Sequence, residues 1–433
     1  MGFLRLPEEI LEPTLLTLCL RDIYTCQRVC TLLNEVITTN VNIQYKLELE
    51  IAGMKDEPQN SLSTSEKLGK LKELQKIWLV PRFSNEFIVS CGRNPFQRIG
   101  DTVFQLIYSE PAPGMTSCIQ APSRLKSIKR RDWTETYGPF SFPPLHVEVD
   151  HEQDLLVAVE GRKIEGFFSV SGSAFLASVD VDSFGLRLER IQSIPANSES
   201  SAENDSVSCI LQFPPLADGW EQRQSTVYTS CANVRSSKMV SPVPFSLADD
   251  SKTVHIYLEV GELNPLLPPS YYNIVALASG LATCLQRAHA MGRNTLRWED
   301  WGPSATRMLP AEYMSPGVGW RFLMLEDPSD DFPVHFSVLD FNPMLVRREL
   351  HKVIQGLKAG SPGTSCINTK PTDIAVPSFA IPIRTCLPYL VSGLRVPKPF
   401  GAVEQTREEP LEDGVSVLDE LQDGTWRVRF YTF

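Results

Sequence analysis

With 433 residues, the chain has room for two or three domains, or for one small module beside one large domain. Hydrophobic residues at 42% and charged residues at 21% supply enough apolar surface to bury a core, which excludes a disordered chain. The formal net charge of -11 argues against partners that bind through broad positive fields, namely nucleic acid and anionic membrane.

Ten cysteines are scattered from Cys19 to Cys386 with no repeated CxxC. Secreted disulfide scaffolds are small and cysteine-dense, so these thiols are expected to be reduced, mostly buried, and in an intracellular protein, cytoplasmic and/or nuclear. The opening MGFLRLPEE turns acidic before any apolar run forms, so no secretory signal peptide is expected. The longest nearly apolar stretch, Ile274 to Leu285, is too short to cross a bilayer.

In chain order, residues 6 to about 78 read as helical. A first helix is expected to start at Pro7, where a missing N–H costs nothing, with Leu11, Leu15 and Leu18 at helical spacing. Pro13 lies inside it and is expected to bend or break it near Glu12, since an interior proline costs ~3 kcal/mol. A second helix from about Asp22 carries Ile23, Cys26, Val29, Cys30, Leu33 and Val36. A third runs from Val41 to Ala52 and stops at Gly53. Ser63 and Glu66 then form a capping box before Leu68, Leu71, Leu74, Ile77 and Trp78, and Pro81 ends that helix.

From Asn85 the texture becomes that of strands: short apolar or alternating runs such as Phe87–Cys91, Val254–Val260 and Val334–Phe341, separated by Pro, Gly, Ser and Asn. About 350 residues remain, space for six to eight blades at roughly 40–50 residues each. The expected fold class is therefore α+β, mainly β: a helical module over 1–55, a helical linker over 56–84, and a large, propeller-like β domain over 85–433. One helix is expected inside it, Ile274 to Met291, ended by Gly292. The run 195–206 reads as a polar loop. Residues 404–423 carry eight acidic residues against one basic residue and read as a solvated connection. Trp426, Val428 and Phe430 then alternate with Arg427, Arg429 and Tyr431, which predicts a half-buried last strand pairing near Phe87–Cys91 to close the sheet system.

The segment LPEEILEPTLLTLCLRDIYTCQRVC (6–30) resembles the F-box. Leu6, Pro7, Glu9, Ile10 and Leu11 match its opening; Leu15 and Leu18 match its helix face; Asp22 and Ile23 match the second helix start; Val29 and Cys30 match the later pair. Leu33 stands where the family has tryptophan, and Thr14 where it has an aliphatic residue. Further along, IQYKLELEIAGMKD (43–56), DLLVAVE (154–160), WEDWGPSATRML (298–309) and VLDFNPMLVRR (338–348) are similar to recurring stretches of the large F-box families of mushroom-forming fungi.

The resemblance implies docking of a Skp-type adaptor, and through it a cullin, with the β domain holding an unknown protein for ubiquitination as the substrate receptor of an SCF-type ligase. It implies that Leu6, Pro7, Ile10, Leu11 and Leu15 face the adaptor, while Leu18, Ile23, Val29 and Cys30 set the helix pair and parts of the interface. A module this small leaves an apolar stripe unless something covers it, and such stripes mark partner sites. Two other readings share these residues. One is a scaffold that binds the adaptor without a cullin. The other is an enzyme or carbohydrate-binding β domain with an incidental helical cap, which would need a deep pocket with convergent polar groups.

Catalytic signatures are missing: no GxSxG, HExxH, Walker sequence or GxGxxG after a strand occurs, so neither enzymatic activity nor a cofactor or metal is expected. His146 and His151, five apart, and Cys26 and Cys30 on one helical face are read as ordinary side chains. The basic run RLKSIKRRD (124–132) reads as a solvated loop, with nuclear import or an acidic partner as the functional alternatives. Trp298 and Trp301 are expected to pack in the core rather than recognise a partner.

Overall fold

The computed structural model describes residues 7–57, 60–79, 81, 83–92, 96–99, 102–107, 115–120, 122–123, 130–136, 146–150, 155–159, 166–170, 173–180, 184–191, 208–230, 244–248, 251–264, 266–310, 313–315, 317–325, 334–355, 366–396, 403–411, 413–421, 423 and 425–433. Leu6, His151, the loop 195–206 and most of the basic run 124–132 lie outside these residues. The architecture is mixed α and β, with many antiparallel sheets.

Five helices open the chain: α1 (Glu8–Thr17), α2 (Leu20–Gln27), α3 (Thr31–Thr39), α4 (Val41–Ala52) and α5 (Thr64–Leu79). Three more among the described residues are set among the strands, where one was expected: α6 (Ala278–Ala290), α7 (Trp298–Ala305) and α8 (Pro343–Ile354). The punctuation expected from residue chemistry is present. Asn40 caps α4 through its side chain, which accepts from the amides of Asn42 and Ile43. Gly53 ends α4 at φ 65. Before α5, Ser63 and Glu66 exchange bonds: the Glu66 carboxylate accepts from the Ser63 amide and hydroxyl, and the Glu66 amide donates back to Ser63 Oγ.

Two helical expectations change. α1 runs unbroken through Pro13. The proline is exposed, and so is Glu9, whose carbonyl it deprives of a partner; water can solvate that carbonyl, and Thr14 Oγ1 donates to the Ile10 carbonyl at 2.7 Å. The single helix expected from Asp22 is two, because Cys30 is extended at φ -159 and ψ 164. One straight helix would offer its apolar face to a single neighbour. The break folds α3 against α2 so that Ile23, Val36 and Ile37 enter one core.

Four-stranded antiparallel sheets recur along the β region. Residues 96–99, 102–107, 115–120 and 131–136 pair in sequence order. Residues 166–170, 173–180, 185–191 and 208–212 do the same, with 295–296 added in parallel. Then come 220–229, 253–262, 270–277 and 306–310, followed by the order 321–325, 334–340, 389–396 and 366–368. The last sheet joins both ends of the region: Asn85–Gly92 pairs with Trp426–Thr432, which pairs with Gly414–Leu421, which pairs with Val403–Pro410. The expected pairing of the final strand with residues 87–91 is therefore found, with Val89 opposite Val428 and Phe87 opposite Phe430.

Two segments depart from their sequence reading. Ile274 to Leu277 belongs to a strand, Ser270–Leu277, and the helix starts at Ala278. An apolar run lacks the alternation that separates strand from helix when both faces are covered, and residues 272–276 are all buried. The acidic stretch 404–423 is largely a strand pair rather than a solvated connection. Val415 and Val417 are buried, and Asp419 is retained inside by Arg429, whose Nε and Nη2 reach its carboxylate at 2.7 and 2.9 Å.

The helices share their cores with the strands. Tyr45, Leu49, Leu71, Leu74 and Trp78 pack with Phe245, Leu323, Phe336, Val415, Tyr431 and Phe433. Residues Met54–Asp56 pair with Phe245–Leu247. Leu345 and Val346 of α8 and Leu390 complete the core of α1–α4. The N-terminal helices thus meet the strands through apolar contact and strand pairing, and share a core with α8.

Candidate functional site

The exposed side of the N-terminal helices follows from their periodicity. α1 starts after Pro7, whose carbonyl accepts from the amides of Ile10 and Leu11 at 3.0 and 3.1 Å. A spacing of four then puts Leu11 and Leu15 on one side, where they are 1% and 0% exposed. Ile10, one residue earlier, turns outward at 49% exposed. In α2 and the turn after it, Ile23 is fully buried while Val29 is 65% exposed.

α4 holds this arrangement by completing its neighbours' ends. Lys46 Nζ donates to the carbonyls of Leu16 and Leu18 at 2.7 Å, placing a cation on the C-terminal carbonyls of α1. One turn on, Glu50 accepts the amide of Leu20 at 3.2 Å, placing an anion on the N-terminus of α2. Glu12 of α1 accepts from the side-chain amides of Asn42 and Asn40 at 2.7 and 2.8 Å, and those bonds hold its carboxyl below the usual carboxylate range. The α1–α2 corner is therefore fixed by charge-assisted bonds from one helix.

The residues implied by the resemblance divide into two sets. Pro7, Ile10 and Val29 are exposed, and Leu18 and Cys30 are half-buried, Cys30 as the cap residue of α3. Leu11, Leu15 and Ile23 are interior, so the expectation that Leu11 and Leu15 face a partner is corrected. Leu15 and Ile23 lie in a core with Ile43, Leu47, Leu345 and Leu390. A residue-by-residue transfer ignored which side each position faces, and α8, which closes this core, lies more than three hundred residues away in sequence. Three exposed apolar residues of these helices were not among the expected docking residues: Tyr24, Leu32 and Val41. Helical spacing from buried Ile23 and Leu33 was the signal, since a residue adjacent to an inward one points away.

Pro7, Ile10, Tyr24, Val29, Leu32 and Val41 give α1–α3 and the start of α4 a discontinuous apolar outer surface. Covering an aliphatic side chain fully contributes roughly 1.5–3 kcal/mol, so a few of them suffice to anchor a protein partner. Among the described residues no group of three or more His, Cys, Asp or Glu comes together to hold a metal ion. No helix among them is long and apolar enough to cross a membrane. Trp298 and Trp301 are core residues, as expected: they meet edge to face at 5.2 Å, and Trp301 Nε1 donates to the Gln212 carbonyl at 2.9 Å.

No protein-family model matches the chain, and no curated protein matches it either.

Proposed function

We propose that this chain is an F-box-type substrate receptor, with α1–α3 docking a Skp-type adaptor and the β region presenting a target protein for ubiquitination. The observation that carries the reading is the outward placement of Ile10 on α1 and of Val29 in the turn after α2, beside an inner face already filled by Leu11, Leu15 and Ile23. Scattered exposed apolar residues are ordinary on protein surfaces, so the docking role of these two in this reading comes from their place within the F-box-like segment 6–30. Receptor architecture is supported by the recurring four-stranded sheets and by the pairing of residues 85–92 with 426–432, which suit a propeller-like ring closed by its last strand. Rings of this kind offer a rigid face for a protein target.

Adaptor capture tests the proposal. The full chain is co-expressed with a Skp-type adaptor, and Ile10→Asp combined with Val29→Asp is compared with Ile88→Asp, an exposed apolar site in the β region. Loss of adaptor from the first variant and retention by the second is expected, with thermal unfolding unchanged in both. Equal capture by all three proteins removes the docking surface. Recovery of a cullin in the complex supports the ligase, and an adaptor-only complex supports the scaffold instead.

A further inference from the structure

α2 and α8 flank a groove of about 1100 Å³ bordered by Leu20, Ile51 and Met344 of the core that the N-terminal helices share with α8. Its charge is opposite to that of the chain. Arg21 and Arg28 enter from α2, and Arg347, Arg348, His351 and Lys352 from α8, while no carboxylate lines it. Two of these cations are neutralised nearby: Arg348 by Glu48 at 2.8 Å and Lys352 by Glu349 at 2.6 Å. Arg21, Arg28 and Arg347 are exposed and have no carboxylate partner among the described residues. Between the cations lie Leu20, Ile51 and Met344, an apolar floor.

We propose that this groove binds an acidic segment of a partner protein. Three unneutralised guanidinium groups over an apolar floor fit a peptide that carries several carboxylates around an apolar side chain. Arginine forks take carboxylates in paired hydrogen bonds, and the floor takes the apolar side chain. A long polyanion such as nucleic acid fits less well. It would extend beyond the groove onto a chain of net charge -11, whereas a short segment feels only the local field within a Debye length. Tyr24 borders both this groove and the exposed apolar residues of α1–α3, and the test below uses the chain without an adaptor, so its outcome is read apart from the function proposed above.

The test uses the full chain and a short fluorescein-labelled peptide of Asp and Glu with one central Leu, read by anisotropy. The comparison probes are the same peptide with Lys for each acid, a Ser-substituted peptide, and a single-stranded oligonucleotide of equal length. The acidic peptide is expected to bind alone, more weakly as salt rises, and to lose about tenfold or more in affinity to Arg21→Glu combined with Arg347→Glu. Both arginines are exposed, so thermal unfolding of that variant should match the parent. Arg297→Glu, at an exposed arginine outside the groove, should leave the affinity unchanged. Failure of the acidic peptide to bind, equal binding of the oligonucleotide, or an equal loss in Arg297→Glu would each overturn the proposal.

Discussion

Arg348 of α8 and Glu48 of α4 lie 300 residues apart in the chain and meet at 2.8 Å, with Arg348 Nη2 also donating to Gln75 Oε1 of α5 at 2.8 Å. One guanidinium therefore ties two N-terminal helices to a helix that follows a strand of the β region. Both partners of the ion pair are mostly withdrawn from water, so removing one strands the other.

Arg348→Met is accordingly expected to lower stability by about 1–3 kcal/mol, a figure reduced from that of a fully buried pair because both groups keep some exposure. Equilibrium denaturation reads the loss. The double variant Arg348→Met with Glu48→Gln should recover part of it, since no charge is then left without a partner. A single variant within about 0.5 kcal/mol of the parent would mean that the link is ornamental.

Gly53 ends α4 at φ 65, where an added Cβ would run into the Trp320 ring and Ser251 Oγ. Its carbonyl also accepts from Ser251 Oγ at 2.7 Å and from the Ala248 amide at 2.8 Å. Gly53→Ala combines left-handed strain with overpacking and should cost about 2–4 kcal/mol. Gly292→Ala is the control: at φ 64 with open space around it, the strain remains and the clash does not, so about 1 kcal/mol is expected. Equal shifts in the two melting curves would contradict the packing argument.

In the sheet that pairs Asn85–Gly92 with Trp426–Thr432, Asp419 is wholly buried between Arg429 and Arg427, the latter at 3.1 Å. Asp419→Ala leaves a buried guanidinium without its counter-charge and should cost about 3–5 kcal/mol. Deleting residues 425–433 goes further, because strands 85–92 and 414–421 each lose the neighbour between them and become open edges. Light scattering should show that truncated protein aggregating, while a monodisperse product would argue against the last strand as the cover of those two edges.

His255 is buried with Nε2 at 2.8 Å from Asn273 Oδ1, stacked on Tyr228 and edge-on to Phe322. Burial pushes its pKa down to about 4, against the Asn273 bond that pulls the other way. The folded chain thus keeps a neutral ring where the unfolded chain, with an ordinary histidine near 6.5, takes up a proton. That stability is complete above about pH 6.5 and is lost progressively as pH falls toward about 4, by roughly 3 kcal/mol. Denaturation midpoints of the parent and of His255→Gln, followed from pH 7 to 4.5, should diverge in slope. Parallel curves would exclude His255 as the source.

Local chemistry made parts of this protein legible in advance. The exchange between Ser63 and Glu66 and the stop at Gly53 depend on atoms within a turn or two and are found as read, whereas the last strand, expected to be half-buried, is buried on both faces from Val428 to Thr432. Where residues were read without their distant neighbours, the outcome differed. Ile274–Leu277 is apolar on both faces and gives no period to decide on, and the acids of 404–423 look solvated until Arg429 arrives from the next strand.

The exposed face of α1 and α2 shows the same division. Spacing alone determined that α1 and α2 have an apolar side and an opposite one, because a helix repeats every 3.6 residues whatever surrounds it. Which side remains open was decided by the fold, since α8 and Leu390 come from far along the chain to seal Leu15 and Ile23 and leave Ile10 and Val29 in water. Burial is a relation between surfaces, and no single segment carries it.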